Sequence, residues 1–170
     1  TTSNEYETSF GFTEEEVFAA LDEYGMAQKK TDIKRWYDGF IFGKNKDIYN
    51  PWSILNFLNK GKIGTYWANT SSNGLVSKLV REGNIKIKTA FEQLLKGEVI
   101  TCPIDEQIVY NQLDRSAESI WSLLLASGYL KVLSYEEKRE AGRAPIYELQ
   151  CTNEEVRDMF YSMVRLWFEE

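Results

Sequence analysis

The chain contains no histidine. That removes the side chain most used as a general base near neutral pH, the commonest metal ligand and every His-dependent triad. Cysteine is scarce as well. Cys102 and Cys151 stand far apart with no C-x-x-C partner, which argues against a zinc knuckle or a dithiol redox pair. They are expected as partly buried free thiols in a reducing cytosol. No glycine-rich phosphate loop occurs, so the chain by itself lacks the usual cradle for nucleotide phosphates. It also lacks an opening secretory segment and any run of about 18 apolar residues, so a soluble, cytoplasmic protein is expected. The opening Thr1-Thr2-Ser3-Asn4-Glu5 has no methionine, as expected of a piece cut from something longer. Positive charge is short too: 20 Lys and Arg face 26 Asp and Glu, a net charge of −6. Nucleic-acid binding draws its affinity from cations that neutralise phosphates, so such a surface would be a local exception here.

What is abundant is aromatic surface. Phe, Tyr and Trp make up 14% of the 170 residues, five of them Trp, so a core or an interface is built from flat side chains. Three clusters carry them: Trp36-Tyr37-Asp38-Gly39-Phe40, Tyr49-Asn50-Pro51-Trp52-Ser53 and Tyr66-Trp67-Ala68-Asn69-Thr70-Ser71. Each sets large rings beside a turn-forming or capping residue. Trp36, Tyr37, Asp38, Gly39, Tyr49, Asn50, Pro51, Trp52, Trp67, Asn69 and Thr70 are therefore read as structural motif residues. No catalytic, metal or cofactor residue is assigned.

The coarse pattern is α+β and mainly helical. Thr13 with Glu16 is a capping box before Val17, Phe18, Leu21 and Tyr24, and that helix stops near Gly25. A second short helix over 31–37 breaks at Asp38-Gly39. A hairpin pairs 40–42 with 47–49. Asn50 caps, and Pro51 opens, a helix carrying Trp52, Ile54, Leu55 and Leu58 that ends at Gly61. Residues 69–72 can cap a helix over 74–80. A helix over 87–96, with Ala90, Phe91, Leu94 and Leu95 inward, ends at Gly97. Residues 98–103 look extended, and 107–110 share that pattern. Ser116 caps a helix with Ile120, Trp121, Leu123, Leu124 and Leu125 ending at Gly128. Strands at 129–133 and 146–149 flank a polar turn over 136–142. Thr152 with Glu155 forms a second capping box before Val156, Met159, Phe160, Met163, Val164 and Trp167. Helix, hairpin, helix is a winged-helix-like outline. It divides the chain into a helical subdomain over 1–97, with its hairpin near 40–49, and a winged-helix-like subdomain over 98–170, together one compact unit.

Candidate chemistry is thin. Asp38 is the one carboxylate within the aromatic clusters, and it is expected to bond backbone amides after Gly39, a residue free to take positive φ. Asn50 and Asn69 read as caps. Trp36, Trp52, Trp67 and Trp121 fit packing better than a base-stacking platform. Asp32-Ile33-Lys34 and Glu136-Glu137-Lys138 mimic the D/E-x-K half of a nuclease site, but the first precedes a helix and the second sits in a turn. The wing turn sets Lys138, Arg139 and Arg143 against Glu136, Glu137 and Glu140, leaving no net charge.

Taken in order, Gly11-Phe12-Thr13 with Glu16-Val17, Trp36-Tyr37-Asp38-Gly39-Phe40, Tyr49-Asn50-Pro51-Trp52-Ser53, Tyr66-Trp67-Ala68-Asn69-Thr70, Gly128-Tyr129-Leu130 and Thr152-Asn153-Glu154-Glu155-Val156 form one pattern. It resembles the bacterial AAA-ATPase-like proteins with a C-terminal PD-(D/E)XK nuclease-like domain. The resemblance covers nearly the whole chain. Phe40 stands where tyrosine is usual, and Cys151-Thr152 where a proline often precedes the asparagine. In that family the Walker strands lie upstream of the matched segment, and the nuclease carboxylates and lysine lie downstream. The resemblance thus implies a helical, lid-like part of the ATPase-like region. Its partners would be the ATPase-like core and the nuclease-like domain of the same protein, and ATP and a divalent metal would belong to the parent, outside this segment.

Overall fold

The computed structural model describes residues 11–42, 45–70, 74–104, 119–136 and 145–169. The architecture is α+β, with more helix than strand and two small antiparallel sheets. Two compact units divide it. The first is drawn from Thr1–Ser71 and Thr152–Met159, the second from Ser72–Cys151 and Phe160–Glu170.

In the first unit, β1 (Phe12–Thr13) leads into α1 (Glu14–Glu23). The expected capping box is present: the Glu16 amide donates to Thr13 Oγ1 at 3.2 Å, and the Thr13 amide donates to Glu16 Oε1 at 3.2 Å. Val17 and Leu21 face inward from α1. A single 3-10 turn then precedes α2 (Lys30–Tyr37), which buries Ile33 and Tyr37. β2 (Phe40–Phe42) and β3 (Asn45–Tyr49) form the expected hairpin, with β3 in the centre and β1 on its far side. Phe40 pairs with Ile48 and Phe42 with Asn45, so β3 carries one extra residue between these pairs. Asp47 sits in that bulge at φ 56°, a conformation Asp tolerates better than most residues. The bulge starts β3 two residues earlier than the alternation indicates.

α3 (Pro51–Lys60) begins as expected, with the Ser53 amide donating to Asn50 Oδ1 and Pro51 in the first turn. It ends on Gly61 at φ 66°. Its buried side is Ser53, Ile54 and Phe57, whereas Trp52 and Leu55 point outward. Helical spacing gathers Ser53, Asn56, Asn59 and Lys60 on one polar side, yet Ser53 at the edge of that side is buried and Leu55 on the apolar side is not. α4 (Trp67–Thr70) is a single turn starting within the third aromatic cluster.

In the second unit, α5 (Gly74–Arg81) and α6 (Ile85–Leu95) lie on either side of Asn84. The Asn84 side chain accepts the Ile87 amide at 3.0 Å, so α6 starts two residues before the apolar stripe suggests. Phe91, Leu94 and Leu95 face inward as expected. β4 (Ile100–Pro103), β5 (Leu130–Glu136) and β6 (Ile146–Cys151) form a sheet in the order β4-β6-β5, and α7 (Ser119–Ala126) directly precedes β5. The expected strand at 107–110, the Ser116 cap and the tip of the 136–142 turn lie outside the described residues. Cys102 and Cys151 are both buried. α8 (Glu154–Glu169) supplies its early residues to the first unit. In the second unit its Phe160 ring lies 4.9 Å from Phe91 and 6.1 Å from Tyr129.

Candidate functional site

Two polar constellations in the first unit gather the motif residues. The first forms where α1, the end of α2 and β3 meet. Glu14, Asp38 and Asp47 bring one carboxylate oxygen each to within 4.8 Å of one another. The spacing of Asp38 to other acids gave no sign of this, because its partners lie 24 residues before it and nine after it in the sequence. Lys34 Nζ supplies the counter-charge: it sits 2.7 Å from Glu14 Oε1, 3.8 Å from Asp47 Oδ1 and 3.9 Å from Asp38 Oδ2. The Tyr49 hydroxyl donates to the same Glu14 oxygen at 2.9 Å.

Three carboxylates at this separation are a donor set that a hard divalent cation favours. Here an ammonium reaches all three, and one carboxylate also serves the backbone. The amide of Gly39 itself donates to Asp38 Oδ1 at 2.6 Å, one residue earlier than the amides expected as its partners. The arrangement closes the α2–β2 corner and has a counter-ion of its own.

Crowding carries an electrostatic cost at Asp38, whose side chain is only 12% exposed. Burial first, then a hydrogen bond shared with Asp47 and that carboxylate's charge, push its carboxyl from 3.8 up to about 7; the Gly39 amide and Lys34 pull the other way. The same cluster, chiefly through the bond to Glu14, raises the Lys34 ammonium. Because the folded value of Asp38 lies above the unfolded one, the folded chain holds a proton that the unfolded chain has lost between them. The stability from this group is complete below 3.8 and is lost as pH rises through about 7. Asp38→Asn keeps an acceptor for the Gly39 amide and removes the titration. Urea unfolding at a series of pH values is expected to show a flatter slope across that window in Asp38→Asn; an unchanged slope would place the effect elsewhere.

The second constellation centres on Glu155, which is fully buried. Its carboxylate accepts the Ser53 hydroxyl at 2.9 and 3.0 Å, the Tyr66 amide at 2.6 Å and the Trp67 amide at 2.8 Å. It thus caps α4 from a distance, satisfying first-turn donors that have no partner within the helix. Burial pushes its carboxyl upward, while the Ser53 hydroxyl and the amides of Tyr66, Trp67 and Ala68 act in the opposite direction. α8 starts one residue after the expected cap at Thr152. Asn153 caps α8 instead: its Oδ1 accepts the Val156 amide at 3.1 Å and its Nδ2 donates to the Asp38 carbonyl at 2.8 Å.

No known family model matches the chain, and no solved structure does. Similarity is found to an uncharacterized protein in the vnfD 5' region of Azotobacter chroococcum mcd 1, 24% identical over 152 residues. The match takes in 89% of this chain and 27% of that protein, so the chain spans about a quarter of its relative's length.

The remaining motif residues divide between packing and surface. Tyr37 is buried and its hydroxyl both donates to the Gly64 carbonyl at 2.7 Å and accepts the Gly64 amide at 3.0 Å. Trp36 packs against the core of Val17, Leu21, Ile33 and Tyr37. Trp67 meets the Phe40 ring edge-on, with centroids 5.2 Å apart. Asn50 and Pro51 start α3, and Tyr49 is buried beside them. Trp52 departs from the packing role and is 55% exposed. Asn69 and Thr70 belong to α4, and their side chains lie outside the described residues. Sequence reasoning missed Glu14, Lys34, Asp47, Ser53 and Glu155. Only Glu155 carried a local signal, as the third residue after Thr152, and that signal said nothing of Ser53 or the α4 amides.

Proposed function

We propose that this chain is a non-catalytic lid or coupling segment of a longer ATPase-like protein. The segment part of this reading is supported by the match, in which nearly the whole chain aligns to a quarter of a longer relative, and the ATPase-like part rests on the motif resemblance alone. The polar groups of the first unit support it, since carboxylates that could have been reactive are engaged with backbone amides, a serine hydroxyl or Lys34. In this reading the partners are an ATPase-like core and a nuclease-like domain of the same protein, and the mechanism is mechanical. Packing of the segment against the nucleotide-binding core changes with the nucleotide, and the cross-linked aromatic clusters pass that change on as a body. ATP hydrolysis and nucleotide affinity measured on this chain test it. The expected result is neither turnover nor tight binding, and tight binding overturns the reading.

A second reading concerns the second unit. Its β4-β6-β5 order, with α7 immediately before β5 and α8 after β6, favours a winged-helix-like unit. As a nucleic-acid reader it is less well supported. α7 would be the helix presented to a groove, yet Ser119–Ala126 carries no charged residue and buries Ile120, Trp121, Leu123 and Leu124. A salt titration with labelled duplex and single strand is expected to give weak, salt-insensitive binding; a steep salt slope would favour the nucleic-acid reading.

A further inference from the structure

Within the second unit a cavity of about 290 Å³ lies between the start of α6, the strand β4 and α7. Ile87, Ile100, Cys102 and Trp121 form its buried wall, so all three elements contribute apolar surface to it. The four consecutive residues of β4 all line the cavity, although their side chains alternate between buried and exposed. The cavity therefore runs along the edge of β4 instead of lying against one face of the sheet. Among the described strands β4 pairs with β6 alone, and no residue of β6 lines the cavity, so this is the side of β4 without a described ladder. Lys86 is the one charged side chain among the described lining residues. The first turn of α6 holds no acid to neutralise it, and the Asn84 side chain is committed to the Ile87 amide.

We propose that this cavity binds a small aromatic carboxylate, with its ring against Ile87, Ile100 and Trp121 and its charge at Lys86. Size sets the first part of that assignment. An apolar cavity of about 150 Å³ holds benzene, so the larger volume here admits a molecule of one or two rings. The wall sets the second part, because an indole beside two branched aliphatic side chains favours a flat apolar body. Charge complementarity sets the third. A carboxylate only accepts hydrogen bonds and an ammonium only donates them, whereas a cationic ligand would meet Lys86 as a like charge. The site lies wholly in the second unit and is independent of the segment reading above.

Titration of the 170-residue chain with naphthoate, followed by NMR of the backbone amides, tests the site. The amides of Ile87, Ala90, Thr101 and Cys102 are expected to shift together and to saturate with a Kd on the order of 1 mM, as for a ligand of this size. Naphthylmethylammonium carries the same ring with the opposite charge, and it is expected to bind about fivefold more weakly. Lys86→Gln, a change at an exposed position, is expected to weaken naphthoate about threefold and to erase the preference for it. Ala90→Trp fills the cavity from α6 and is expected to abolish the shifts while the circular dichroism of the chain is kept. The absence of shifts up to the solubility limit of naphthoate overturns the proposal. So do shifts confined to amides elsewhere, or shifts that persist unchanged in Ala90→Trp, since both mean association outside the cavity. Equal affinity for the two naphthalene compounds, or Lys86→Gln without effect, overturns it as well.

Discussion

Gly39→Ala is expected to be among the most damaging single-methyl changes in the chain. Two independent penalties meet there. Gly39 sits at φ 122°, a region that residues with a Cβ rarely adopt, and that strain costs about 1–3 kcal/mol. A Cβ would also lie 2.3 Å from the Thr152 carbonyl oxygen, with the Thr152 Cγ2 at 3.0 Å. Relieving that overlap means parting the β2 start from the residues before α8, where Asn153 also holds the Asp38 carbonyl. Forced backbone movement of this kind adds about 1–3 kcal/mol, for a total of about 2–6 kcal/mol. Gly25 provides the control. It has φ 72°, but a Cβ there meets nothing within 4 Å, so Gly25→Ala is expected to lose only about 1–2 kcal/mol. Urea unfolding followed by circular dichroism measures both variants. Equal losses would mean that the close approach of Thr152 contributes nothing.

The reason for Gly39 illustrates what could be read in the sequence. Its turn chemistry was visible in the Asp38-Gly39 pair, because a turn is decided by adjacent residues. The same holds for the Thr13 capping box, the Asn50-Pro51 start of α3, and the helix stops at Gly25, Gly61, Gly97 and Gly128, all of which take positive φ. Thr152 as the obstacle to a side chain on Gly39 was not visible, since it lies more than 110 positions away. The polar constellations were hidden for the same reason. Ser53 and Glu155 are 102 residues apart, and Tyr49 and Glu14 are 35 apart. Short-range patterns tied Glu155 to Thr152 and gave no sign of the Ser53 hydroxyl or the Tyr66 and Trp67 amides. Around α3 the failure had a different origin. The period sets Ser53 with Asn56, Asn59 and Lys60 on the polar side, but the hydrogen bond from Ser53 to Glu155 accompanies a rotation of that edge inward that leaves Leu55 outside.

That bond leads to the other large effect. Glu155→Ala is expected to destabilise the chain by about 3–5 kcal/mol, because it strands a buried hydroxyl and the amides that start α4. Glu155→Gln separates the loss of charge from the loss of acceptors. Its carbonyl oxygen can still take an amide bond, and the Ser53 hydroxyl can rotate to accept from the new NH2 group. The cost of Gln is therefore expected to be about 1 kcal/mol. Dependence on pH distinguishes the two variants further. Burial holds the Glu155 carboxyl above 4.5, so the folded state keeps its proton to higher pH than the unfolded state does. The stability this group contributes is complete below 4.5 and declines as pH rises through the folded value. Glu155→Gln is expected to abolish that decline, so the gap between it and the parent narrows as pH rises, whereas Glu155→Ala stays far below both at every pH. Should Ala and Gln prove equally mild, the carboxylate would not be the tie between α3, α4 and α8 in the first unit. The rigidity required of a coupling segment would then have to come from the aromatic packing of Trp36, Tyr37, Phe40 and Trp67 alone.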